Sequence, residues 1–187
     1  MTTLQRLVPT LTDLAHVLDR IDADDDGRPT PCAEYSVADL RGHVVQWLTA
    51  FTVGLEDLHG HCPTDEVGVE DRGGDQVRAL ADRIAALSDD ALPEQVFIGE
   101  DGLPLSIALP MIHGEYIVHG WDLAVATEQQ WEPDPEVCAD LADFFAGALP
   151  DEASRAGMFG PAVDVADDAP PLDRLLAQTG RDPKWRS

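Results

Sequence analysis

The chain has 187 residues and carries 36 Asp and Glu against 12 Lys and Arg, a formal net charge of −24. Its length suits one domain, and 44% hydrophobic with 26% charged residues is a globular composition that excludes disordered, collagen-like and fibrous classes. So large an acidic excess repels a polyphosphate backbone and an anionic bilayer, so no nucleic-acid or membrane partner is expected. Cys32, Cys62 and Cys138 are far apart, form no CxxC pair and fit a reducing compartment. The N-terminus lacks a basic region followed by an apolar run, and no stretch approaches the ~20 apolar residues of a membrane span, so a cytoplasmic location is expected.

In chain order, Leu7, Leu11, Leu14, Val17, Leu18 and Ile21 recur at three- and four-residue steps and predict an amphipathic helix over about 4–21, with Pro9 delaying its start. Ser36 and Asp39 have the spacing of a capping box, and Leu40, Val44, Trp47, Phe51, Leu55 and Leu58 trace the apolar stripe of a second helix that ends by Gly60. Val77, Leu80, Ile84 and Leu87 predict a third helix. Val96, Phe97 and Ile98 run through GEDG into LPL as a short hairpin, and helices follow over about 106–127, with Pro110 an early irregularity, and about 135–148. The tail from Pro150 reads as mostly irregular, with one short helix near 172–178. With no repeat or linker, the expectation is a mainly all-α, single-domain helix bundle over 1–187 with the tail packed on it.

The stretch His113-Gly-Glu115-Tyr-Ile-Val-His119-Gly-Trp121-Asp122 carries the most chemistry. At about 100° per residue Glu115, His119 and Asp122 share one helix face, and His113 lies away from it. A carboxylate and an imidazole four residues apart can ligate one metal ion, with His43, between Leu40 and Trp47, as the third ligand from another helix. Read from spacing alone, the favoured expectation is a hydrogen-bonded core histidine at His43 and a plain helical pair of Glu115 with His119. Asp122 either orients His119 or caps the helix, and Trp47 and Trp121 either wall the site or fill the core.

The segments PTPCAEYSVADLRGHVVQW, HGEYIVHGWDLAVAT and FGPAVDVADDAPPLDRLLAQTGRDP together resemble actinobacterial metal-binding proteins related to the metal-binding domain of mycothiol-dependent maleylpyruvate isomerase, in the DinB-like superfamily. The resemblance implies a DinB-like four-helix bundle holding a divalent ion on His43, Glu115 and His119. Zinc is the ion implied first, with nickel, manganese or iron also suited to imidazole and carboxylate. It further implies mycothiol as a cosubstrate that attacks a small electrophile, in thiol transfer or isomerisation. The isomerase has a further C-terminal domain for which 187 residues leave no room, so maleylpyruvate itself is not the expected substrate. The competing expectation is a non-catalytic module in which a structural ion locks two helices or a ligand binds. A homodimer is compatible with the sequence, although no apolar stripe demands one.

Weaker signals remain. Asp22, Asp24, Asp26 and Gly27 begin like a calcium loop, but Ala33 stands at its twelfth position, so a solvated acidic loop is expected. His59, His61 and Cys62 lack a partner pair at metal-finger spacing. Cys32, just ahead of the second helix, is expected to be buried and inert rather than activated by a helix N-terminus, and Arg181 and Lys184 to be solvated or tail-packing rather than an anion-binding charge beside the metal.

Overall fold

The computed structural model describes residues 3–155 and 158–186, apart from the Thr3 side chain. Helix α1 (Thr3–Asp19) contains Pro9 in its interior instead of starting after it. The ring removes one backbone donor, but Leu4 and Leu7, ahead of it, are driven into the core and keep the first turns helical. Helix α2 (Val37–Glu56) starts at the expected capping box, where Ser36 Oγ accepts from the Asp39 N–H at 3.2 Å and Asp39 accepts from the Ser36 N–H at 3.1 Å. The helix stops at Glu56 and Asp57 turns extended, so Leu58 leaves the apolar stripe and is 76% exposed, contrary to its expected place in the core. Helix α3 (Gly74–Ala85) buries Val77, Leu80 and Ile84, and Leu87 packs onto the core just beyond its end.

The expected hairpin is present as β2 (Gln95–Ile98) and β3 (Asp101–Pro104), paired antiparallel. A two-residue strand, β1 (His61–Cys62), adds to it in parallel, too short to show a period in the sequence. Gly60 makes that pairing possible, because its φ is +72° and a Cβ there would strike the Gln95 carbonyl. Helices α4 (Leu105–Ala126), α5 (Pro135–Ala148) and α7 (Pro171–Gln178) match the expected segments within a residue or two. One turn, α6 (Glu152–Arg155), gave no periodic signal.

Helices α1 and α2 each pack against α3 and α4, which closes a four-helix bundle, and α5 packs against α7 on the far side of α4. Helix α4 therefore serves two apolar clusters. Ile112, Tyr116 and Leu123 join the bundle core, while Ile117, Val118 and Trp121 join a second cluster with Phe145, Leu175 and Leu176. Being covered on both sides, α4 buries polar residues as well, and each of these needs a partner. His113 finds Thr10 Oγ1 on α1 at 3.0 Å, with burial pulling its pKa down to about 4. His119 and Asp122 find each other.

Gly120 is a point of close approach on α4, since a Cβ there would overlap the Trp131 indole. Gly120→Ala is expected to cost about 1–3 kcal/mol by pushing that ring aside. Urea denaturation of the two proteins checks this, and an unchanged midpoint would show the contact to be slack.

Candidate metal centre

Three elements deliver the site. The capped start of α2 fixes the register that turns His43 inward, α4 supplies Glu115 and His119 one turn apart, and the loop before α2 supplies Tyr35. That loop is folded back by Thr30, whose hydroxyl donates to the carbonyls of Cys32 and Tyr35 at 2.9 Å each, and by a bridge between Pro29 and Ser36.

The ring nitrogens divide into two sets. Nε2 of His43 lies 2.8 Å from Glu115 Oε1, and Nε2 of His119 lies 3.3 Å from the same oxygen. The other nitrogen of each ring is held from outside: Nδ1 of His43 is hydrogen-bonded to the Tyr35 hydroxyl at 3.2 Å, and His119 Nδ1–H donates to Asp122 Oδ2 at 2.9 Å. The two imidazoles stand nearly edge-on with centroids 5.0 Å apart. Ligand atoms of His43, Glu115 and His119 all fall within 4.8 Å of one another. Two nitrogens and one carboxylate converging, each ring oriented through its far nitrogen, is a donor set suited to a divalent ion.

Burial disfavours the ionised Glu115, but His119 and His43 outweigh it and hold this carboxyl well below the usual range. Burial likewise disfavours the charged His119, and Glu115 with Asp122 overcomes it, raising its pKa to about 9. Side-chain exposure is graded: 29% at Glu115, 19% at His43, 8% at His119 and none at Asp122. The cluster thus opens on the Glu115 side and closes on the Asp122 side.

Asp122 does not cap or face solvent. Its buried carboxylate accepts from His119 and from Arg181, whose Nη2 is 3.1 Å from Oδ2. Of the two expectations for Arg181 the packed one holds and the solvated one does not, because the turn after α7 brings it back to Asp122 on α4. Lys184 is exposed, as expected. Sequence periodicity could not find Arg181 or Tyr35, because both lie outside the long helices.

Cys32, His119 and Asp122 form a second close group, with ligand atoms also within 4.8 Å. The guanidinium on Asp122 makes this a poor cation site, and burial pushes the Cys32 thiol up despite Arg181 nearby. Cys62 and Cys138 are pushed up to about 11 and about 12 by burial. At pH 7.5 the native protein is expected to react with iodoacetamide slowly at Cys32 and negligibly at the other two, whereas all three react in urea. Peptide mass spectrometry reads this, and fast labelling of Cys62 or Cys138 would contradict their burial.

Of the remaining candidates, Trp47 lies beside His43 with centroids 6.4 Å apart and stacks on Phe51, while Trp121 belongs to the second core cluster. The acidic loop forms ion pairs instead of a calcium site, with Arg72 on Asp22, Arg28 on Asp25 and Arg41 on Asp26. His61 is exposed and Cys62 is buried against Gly54, so they do not converge.

Known proteins share this helical bundle. The chain belongs to the mycothiol maleylpyruvate isomerase N-terminal domain family, whose family model matches residues 7–124 and so includes all three candidate ligands. Two uncharacterized proteins, from two strains of Mycobacterium tuberculosis, are each 28% identical over 179 residues, covering 89% of this chain and 91% of theirs. The crystal structure of the mycothiol-dependent maleylpyruvate isomerase is similar in fold, with a TM-score of 0.53 and 17% identity over 99% of this chain and 81% of that one. No helix among the described residues is long and apolar enough to cross a membrane.

Proposed function

We propose that the chain is a cytoplasmic protein that binds a divalent ion, zinc foremost, on His43, Glu115 and His119, and uses mycothiol in a transferase or isomerase-like reaction on a small electrophile. The observation that carries this reading is the convergence of both Nε2 atoms on one Glu115 oxygen at the exposed end of the cluster. A divalent ion held there supplies Lewis acidity that lowers the pKa of a bound thiol or water. The chain's own residues do the positioning. Tyr35 and Asp122 fix the two rings, Glu115 supplies the negative charge, and the stacked Trp47 and Phe51 give an apolar wall along α2 beside His43. Kinship with a mycothiol-dependent isomerase supports mycothiol as the thiol.

A structural ion is the second reading, favoured by the ligands' coming from two helices, so that an ion would tie α2 to α4. Incubating the metal-loaded protein with mycothiol and a panel of unsaturated oxo acids and epoxides, while following free thiol and isomer ratios, separates the two. Turnover that stops on chelation, with helicity retained, is the result expected. No turnover, together with unfolding on chelation, would favour the structural ion.

A further inference from the structure

We propose that Arg181 is a positioning residue for His119, acting through the Asp122 carboxylate, so that the C-terminal segment sets the affinity of the ion site. The inference rests on the metal reading above and adds to it a residue more than fifty positions beyond the last ligand.

The contact is a built one. Asp122 is fully buried, with both oxygens within 3.3 Å of Arg181 Nε and Oδ2 also 3.1 Å from Nη2. The same Oδ2 accepts from His119 Nδ1–H. A fork of this kind fixes the plane of a carboxylate as a single ammonium cannot, and balances a charge that burial would otherwise make costly. With the plane of Asp122 fixed, the His119 ring is fixed too, its Nε2 directed at Glu115. Arg181 is itself held, since its backbone N–H donates to the Leu176 carbonyl at 2.8 Å and its Nη1 donates to the Thr179 carbonyl at 3.3 Å. Gly180, at φ +83°, makes the turn against Gly160 that a Cβ would block. Arg155 clamps the same turn by donating to the carbonyls of Gln178 and Leu149, without touching Asp122.

Arg155 therefore supplies the control. Zinc affinity is measured by chelator competition at pH 7.5 on wild type, Arg181→Met, Arg181→Lys, Asp122→Asn, the Arg181→Met/Asp122→Asn double variant and Arg155→Met. Arg181→Met and Asp122→Asn are each expected to weaken binding about 10- to 100-fold, and the double variant no more than the weaker-binding single. Arg181→Lys, with the charge but not the fork, falls between Arg181→Met and wild type, and Arg155→Met, which loosens the turn but leaves the fork in place, loses clearly less than Arg181→Met. In the zinc-loaded protein, the slowly exchanging Nδ1–H proton of His119 seen by NMR is expected to be lost or shifted in Arg181→Met and kept in Arg155→Met. Equal affinities for Arg181→Met and wild type would overturn the positioning role alone, as would additive losses or an equal loss in Arg155→Met. Failure of wild type to bind zinc would overturn the metal reading and the positioning role together.

Discussion

Replacing His119 with alanine is expected to weaken divalent-ion binding by more than about 100-fold, because residues that merely orient a ligand already contribute 10- to 100-fold and His119 is the ligand itself. Its Nε2 is one of two nitrogens facing Glu115, and it is the more deeply buried of the two rings. The substitution also strands Asp122 with Arg181 as its remaining partner, which is expected to cost the unloaded protein about 1–3 kcal/mol. His119→Gln, which keeps bulk and a hydrogen-bonding end, guards against simple misfolding. His113→Asn is the matching control on the same helix. His113 faces Thr10 instead of the cluster, so this variant is expected to keep the ion. Competition titration against a chelator reads all three, and an ion retained equally by His119→Ala and wild type would remove His119 from the ligand set.

The second large effect is on pH. Without an ion, His119 holds its proton up to about 9, against an unperturbed value of 6.5, because Glu115 and Asp122 flank it and outweigh its burial. An ion can take Nε2 only when that proton leaves, so affinity is expected to rise about tenfold per pH unit between pH 7 and 9, roughly 100-fold in all, and then level off. Stability of the unloaded protein moves the other way. A raised pKa contributes stability that is complete below the unfolded value near 6.5 and is lost as pH climbs through about 9. His113, depressed to about 4, contributes stability that is complete above 6.5 and is lost as pH falls toward 4. From pH 7 to 9, the melting temperature of the unloaded protein should therefore fall while ion affinity climbs. Affinity that is flat over this interval would mean that His119 is already neutral or is not displaced from its proton.

Much of the fold is legible in the sequence, because long helices advertise themselves by period and by caps. Ser36 and Asp39 mark the start of α2, and that start is what aims His43 inward. The spacing of Glu115, His119 and Asp122 puts them on one face of α4, and the structure brings His43 to that face. What periodicity could not supply lies where the chain is not periodic. β1 is two residues long, held by a positive-φ glycine and a parallel pairing from a distant strand. Pro9 looks like a boundary, but tertiary burial of Leu4 and Leu7 extends the helix past it. Leu58 fits the stripe of α2 arithmetically, yet the helix has ended before it. Arg181 looked like tail charge, since only the packing of α7 on α5 and the turn at Gly180 bring it to Asp122.

Elemental mass spectrometry of the untagged wild-type protein, purified without added metal or chelator and then offered zinc and dialysed, puts the reading to its plainest test. About one divalent ion per chain is expected, removable by chelator and restored by zinc. A protein that stays empty after zinc is offered, and is no more stable for it, would contradict the metal centre and return His43, Glu115 and His119 to a buried hydrogen-bonded cluster between two helices.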